Sequence, residues 1–234
     1  MVTASGRELP ADLVVLGLGV RPDVRLAQEA GIPLGTSGGI AVDQRMRTRV
    51  DGVWAAGDCV ITHHRLLGRS YLPLGTTAHK QGRVAGENAI GGSARYAGSL
   101  GTQVVKVFDL VAARTGLRDR DATTTCFPTA TTHSSPDDHK RYYPGAEPIS
   151  IRITGDTGTG RLLGAQLVGG LTTQTAKRVD TLATALFHEM TVDAVSELDL
   201  SYTPPLGSPW DAVQMATQDW VRHHRSTLTT GASE

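Results

Sequence analysis

Two short stretches carry residues whose types and spacing suit ligand chemistry. In the first, Thr48 to Asp58, the apolar run Val53-Trp54-Ala55-Ala56 stops at Gly57-Asp58. If that run is a strand, the Asp58 carboxylate stands at the carboxyl edge of a sheet, where α/β folds place ligands. Gly57 lets a ligand come close to the backbone, and Asp58 can accept hydrogen bonds from sugar-like hydroxyls. An ordinary strand-to-turn with an aspartate cap gives the same pattern, and taken alone it is the simpler account. In the second stretch, Pro73 to Arg83, the residues Thr76-Thr77-Ala78-His79 open a helix. A helix start offers free N–H groups and the positive end of a dipole, which suit an electron-rich ring carbonyl or a phosphate. A helix of small residues packed on a sheet is the alternative reading. Cys126, in a strand-like stretch, reads as inert. Asp58, Cys59, His63 and His64 match no common zinc spacing, so no metal site is expected.

The elements that would position these residues follow from periodicity. Residues 12–20 form a continuous apolar run, as in a strand buried on both faces. Val2 and Leu9 flank a Ser5-Gly6-Arg7 turn in a small meander. Asp23 caps a short helix through Ala30 that ends at Gly31, and Gly39 to Val42 is a short strand. A loop with His63, His64 and Gly68 leads to a helix over Thr76 to Ala89, closed by Gly91-Gly92. Its Ala78, Gly82, Val84, Ala85 and Ala89 are available for close packing. Strands are expected at Val104–Phe108, Leu110–Ala112 and Thr123–Thr131. Ile149 to Ile153 and Leu162 to Val168 pair across a Gly155–Gly160 hairpin turn. Val179, Leu182, Ala183, Leu186, Phe187 and Met190 form one stripe of a 3.6-residue period, predicting a helix over Thr173–Glu189. Thr191 caps another short helix, with Ala194 and Val195 inward. Leu200 to Pro209, with three prolines, must be extended. Arg222 to Glu234 is expected to fray.

The composition bounds the function. With 234 residues, the chain makes one large domain or two modest ones. Lys+Arg and Asp+Glu both number 23, and this balance argues against a nucleic-acid binder. No apolar run approaches the roughly 20 residues of a membrane span. Two cysteines make no disulfide framework, and a cytoplasmic setting fits them.

The Gly57-Asp58 stretch and the Thr76 helix, in this order, resemble the second flavin-binding stretch of the FAD-dependent pyridine nucleotide-disulfide oxidoreductases. Leu9-Pro10-Ala11-Asp12-Leu13-Val14-Val15 with Gly19-Val20-Arg21-Pro22 resembles the last strand of that family's NAD(P)H domain. Gly82-Arg83-Val84-Ala85-Gly86-Glu87-Asn88 continues the match. Leu100-Gly101-Thr102, Val105-Lys106-Val107-Phe108 and Ala113-Arg114-Thr115-Gly116-Leu117 resemble the opening of the dimerisation domain. Leu200-Ser201-Tyr202-Thr203-Pro204-Pro205 and Arg141-Tyr142-Tyr143-Pro144-Gly145-Ala146 are similar to the coenzyme A-disulfide reductase and NADH oxidase branch.

The resemblance implies an α/β fold, a partial FAD/NAD(P)-binding Rossmann-like region, followed by an α+β dimerisation domain with an antiparallel sheet. It divides the chain into the end of an NAD(P)H-binding domain (1–25), the C-terminal part of an FAD-binding domain (26–98), the dimerisation domain (99–225) and a flexible tail (226–234). It implies that Asp58 hydrogen-bonds the ribityl chain of FAD, that Gly57 permits its approach, and that Thr76, Thr77 and Ala78 aim N–H groups at the pyrimidine edge of the flavin. Tyr202 and one of Tyr142 or Tyr143, with Tyr143 the first choice, are implied as catalytic residues reaching across a homodimer, and His79 as a substrate contact. A basic residue expected shortly before Trp210-Asp211, or at the Trp itself, is absent, which weakens the case for anionic coenzyme A as substrate.

The implied reaction passes electrons from NAD(P)H through FAD to a disulfide of coenzyme A type or to oxygen. Neither Gly-x-Gly-x-x-Gly loop of the family is found in the 234 residues, nor is its redox cysteine. The expectation is therefore a chain that starts inside the NAD(P)H domain and is active only with the missing N-terminal half, as a truncated enzyme or with a separate N-terminal half. The alternative is a non-catalytic dimerisation module that holds no flavin alone.

Overall fold

A computed structural model describes residues 1–35 and 37–228, without the side chains of 225–228; residues 229–234, in the expected tail, lie outside the described residues. Local signals govern the N-terminal third. Val2 and Glu8 bridge around the Ser5-Gly6-Arg7 turn, as the meander reading expects. Helix α1 spans Arg25–Glu29 and ends before Gly31, whose positive φ closes it. Its N-cap is Val24 rather than Asp23, although Asp23 Oδ1 accepts the Arg25 N–H at 3.3 Å.

The apolar run 12–20 is the clearest departure from expectation. It forms no strand, and Leu13, Val15, Leu16 and Leu18 are 76–89% exposed. A buried parallel strand is defined by neighbours on both sides, and among the described residues none pairs with it. The expected strands around Ile40 and Trp54 shrink to single bridges, Leu34 to Ile40, Ile40 to Val60 and Arg47 to Trp54. The loop expected after Cys59 is instead a hairpin, β1 (Thr62–His64) with β2 (Gly68–Ser70).

Helix α2 (Gly75–Ala89) closes this region. Its buried face is not the small-residue face expected: Gly82 and Ala89 are exposed, and the stripe Thr77, Gln81, Val84, Asn88 turns inward. Burial of three polar side chains on one helix requires partners for each. Asn88 Nδ2 donates to the carbonyls of Arg45 and Ala94, both at 2.9 Å, and Thr77 Oγ1 lies 3.3 Å from Ser99 Oγ.

The C-terminal part is a five-stranded antiparallel sheet in the order β3 (Gln103–Val107), β4 (Leu110–Gly116), β7 (Leu162–Gly170), β6 (Ser150–Asp156), β5 (Thr129–Ser134). The last strand starts later than expected, because residues 123–128 are irregular, and the short α3 (Asp119–Ala122) precedes them. Cys126 is accordingly exposed rather than packed in a strand. Helix α4 (Thr175–Phe187) covers the sheet through Val179, Leu182, Ala185 and Leu186, while Phe187 stays 42% exposed. Thr191 caps α5 (Val192–Ser196) by accepting the Ala194 N–H at 3.1 Å, as expected, though Ala194 faces outward.

Helix α6 (Ala212–Leu228) is not among the elements expected from the sequence. Ala212, Val213, Ala216, Thr217 and Trp220 bury it against the sheet, and His223 and His224 lie on this helix, not in a frayed tail. Trp220 is wholly buried, and its Nε1 donates to the Ala130 carbonyl at 2.9 Å. No described helix is long and apolar enough to cross a membrane.

Gly155 sits at a register shift in β6, and a Cβ there would meet Trp220 Cζ2 at 2.5 Å. Gly155→Ala should cost about 2 kcal/mol by overpacking, lowering the melting temperature by roughly 4–8 °C in a calorimetric scan.

His64 is 2% exposed and accepts the N–H groups of Leu66 and Leu67 at its Nδ1, 3.1 and 3.2 Å away. Burial, opposed by a hydrogen bond to the Leu100 carbonyl, lowers its pKa to about 4. Because the unfolded ring binds its proton near pH 6.5, this contribution is complete above that pH and is lost as the pH falls toward 4. Denaturant titrations should therefore show about 2 kcal/mol less stability at pH 5 than at pH 7 from this group. A His64→Gln variant should lose correspondingly less over the same interval.

Candidate functional site

The turn at Gly57 and the start of α2 are held against each other by one side chain. Gln81, fully buried, accepts the Gly57 N–H at 3.0 Å through Oε1 and donates to Thr62 Oγ1 at 3.0 Å through Nε2. Gly57 has a φ of +94°, a conformation that L side chains rarely adopt, and a Cβ on it would stand 3.8 Å from Ala78 Cβ. The two motifs are thus in contact. Asp58, next along the turn, is exposed, and its carboxylate has no hydrogen bond or ion pair among the described residues. Its charge reaches Tyr71, whose phenol is pushed up by burial and then by the charges of Asp58 and Cys59.

The start of α2 has no side-chain cap and no acidic residue in its first turn, so its positive end is not neutralised. Thr77 and Ala78 both spend their N–H groups on the Leu74 carbonyl at 2.9 Å. The N–H groups of Gly75 and Thr76 have no acceptor among the described residues. Of the three residues expected to present donors, only Thr76 therefore has its N–H unspent, with Gly75 beside it. Thr76 borders two clefts of about 490 and 550 Å³, one against Tyr96, Ser99 and Asp180, the other against Gln103, Val104 and Lys177. Tyr96 is 4% exposed, and burial raises its pKa against hydrogen bonds to Thr77 and Ser99.

The tyrosines form a second group, in the C-terminal part. Tyr143 packs on Tyr142, with ring centroids 5.5 Å apart, and the phenol of Tyr142 interacts with that of Tyr202. The Tyr142 phenol is pushed up by desolvation and then by Tyr202. All three are at least 40% exposed. Tyr202 also borders a cleft of about 420 Å³ with Lys177, Arg178, Thr181 and Asp211. His79 is exposed on the first turn of α2 and makes no hydrogen bond or ion pair among the described residues.

Sequence reasoning passed over Gln81, Tyr96 and Arg178. The available signal for Gln81 was its place four residues after Thr77 on a helix otherwise rich in small residues. Cys59 donates its thiol to the Ala56 carbonyl at 3.4 Å, and burial pushes its pKa up, the opposite of an activated thiolate. Among the described residues no group of His, Cys, Asp and Glu is arranged to hold a metal.

The pyridine nucleotide-disulphide oxidoreductase family model matches residues 1–82, and the model of that family's dimerisation domain matches residues 102–212. The NAD(P)H sulfur oxidoreductase (CoA-dependent) of Pyrococcus furiosus is 36% identical over 211 residues, 90% of this chain and 47% of that protein. A coenzyme A disulfide reductase of Staphylococcus aureus is 30% identical over 213 residues, 90% of this chain and 48% of that protein. Among solved structures, the NAD-dependent persulfide reductase from A. fulgidus superposes with a TM-score of 0.91 at 38% identity, covering 96% of this chain and 41% of that one. The chain spans about half the length of the curated relatives it matches. On two successive domains it carries the signature of one family, and it belongs to the pyridine nucleotide-disulphide oxidoreductases.

Proposed function

We propose that this chain supplies the flavin-ring side and the dimer-forming domain of an FAD-dependent oxidoreductase. That enzyme passes electrons from NAD(P)H to a small disulfide of coenzyme A type, or to oxygen. The observation that carries this reading is the Gly57-Asp58 turn clipped by Gln81 against a helix start with two unspent N–H groups. Such a place suits a ligand with hydroxyls on one side and an electron-rich carbonyl on the other. FAD, the family's cofactor, would supply hydride acceptance and electron transfer.

The chain's own residues would bind and orient. Asp58 accepts from ribityl hydroxyls, and Gly57 allows them close. Gly75 and Thr76 would hold the flavin's ring carbonyl, their fixed N–H donors suited to negative charge there. Thr77 and Ala78 shape the turn that aims those donors. Tyr202, with Tyr142 or Tyr143, and His79 are the residues offered to the acceptor substrate, the tyrosines from the partner chain of a homodimer. Cys59, held to Ala56, does not fit the thiol that attacks a disulfide. In this reading the two glycine-rich loops and that thiol belong to the enzyme's N-terminal half.

A second reading, a dimerisation module without flavin, is favoured by the edge strand β3, where Val104, Val105 and Val107 are at least half exposed. Riboflavin, which carries ring and ribityl chain without the pyrophosphate, separates the two. Titrated into the full chain, it should show quenched fluorescence. Asp58→Ala should weaken its binding at least tenfold, since a hydrogen bond to a charged group is worth about 1.5–3 kcal/mol. Equal affinity of the two proteins would remove Asp58 from the site. No quenching by a folded, self-associating chain would establish the module instead.

A further inference from the structure

The Tyr142 loop and the Tyr202 segment are both irregular, yet they meet. A buried cation bonds a residue at the base of each. Arg178, on α4, is 7% exposed and spreads its donors over three separate segments. Nη2 donates to the Asp138 carbonyl at 2.6 Å, at the foot of the loop that carries Tyr142. Nε and Nη2 donate to Asp211 Oδ2 at 3.1 and 2.9 Å, at the end of the segment that carries Tyr202. Nη1 donates to the Thr173 carbonyl just before α4.

Each contact is itself anchored. Asp138 Oδ1 accepts the Glu147 N–H at 2.9 Å, which closes the loop around Tyr142. Asp211 caps α6 by accepting the Val213 N–H at 2.9 Å, and Gln214 Oε1 accepts the Asp211 N–H at 3.1 Å in return. The other end of the Tyr202 segment is held by the Gln214 amide, which donates to the carbonyls of Ser196 and Leu198 at 3.0 and 2.7 Å. A guanidinium presents five donors in a fixed plane, so one side chain can set several acceptors in a single geometry; an ammonium on a flexible stem cannot.

We propose that Arg178 is the positioning residue of the tyrosine pair, its buried fork fixing the Tyr142 loop and the Tyr202 segment to α4 in one arrangement. The role of the tyrosines toward substrate rests on the reading above; their relative placement does not. Photo-oxidative tyrosine coupling of the full chain tests it, because two phenols that each lose an electron and a proton to the added oxidant join only when close. The Tyr142–Tyr202 cross-linked peptide, quantified by mass spectrometry, should be abundant in the wild type. It should fall at least fivefold in Arg178→Lys, which keeps the charge but loses the fork. Asp211→Asn, which keeps an oxygen for the α6 cap, should lower it in part and stands in if the lysine variant fails to fold. Gly155→Ala, destabilised at Trp220, should leave the yield unchanged. Full coupling in Arg178→Lys, an equal loss in Gly155→Ala, or no coupling in the wild type would each overturn the proposal. The readout needs neither flavin nor turnover, so its failure is distinct from failure of the flavin reading.

Discussion

The amide of Gln81 is the interaction on which the N-terminal region depends. It is buried without access to water, so its donor and acceptor must both find protein partners. They find Thr62 and Gly57, one on a strand and the other in the turn that precedes Asp58. An apolar residue of similar shape would leave a buried N–H and a buried hydroxyl without partners, at about 1–3 kcal/mol each. The same bond sets geometry. Because Gln81 stands on the second turn of α2, the helix start and the Gly57-Asp58 turn keep one relative position. Asp58 and the unspent N–H groups of Gly75 and Thr76 therefore keep one relative placement.

A comparable arrangement governs the C-terminal part, with an ionic group in place of the amide. Arg178 gathers backbone carbonyls and a helix-capping carboxylate around α4. A third polar clamp joins the two parts. Arg65, just after β1, donates to the Ala97 carbonyl at 3.1 Å and to the Phe187 carbonyl at 2.9 Å, and its guanidinium lies 4.3 Å from the Phe187 ring centroid. His64, next to it, binds the Leu66 and Leu67 amides in its neutral form. The irregular segments are thus placed by individual buried polar groups, while aliphatic burial shapes the sheet and the helices laid on it.

This division explains what the sequence disclosed. The α2 and α4 helices, the β6–β7 hairpin and the Thr191 cap rest on local periodicity and turn chemistry, and they were legible. Helix α6 was not, since its inward stripe includes Thr217 and small alanines and follows a proline-rich stretch. The strand read at 12–20 failed because strand formation is a property of pairs, and no described segment lies beside it. The hairpin around Gly68 carried His63 and His64 where alternating apolar residues would have announced strands. The turn at Gly57-Asp58 and the helix that starts near Thr76 were legible from residue type and order. The partners of Gln81 and Arg178, and the meeting of Tyr202 with Tyr142 rather than Tyr143, depend on contacts between distant segments and were not.

The exposed aliphatic run at residues 12–20 and the exposed edge strand β3 lie on different parts of the same chain. Aliphatic surface left in water carries a standing cost of about 25 cal/mol per Å². Whatever covers either surface is therefore stabilised in proportion to the area it hides, and a polar substitution in the run or in β3 acts on that cover rather than on the fold beneath it.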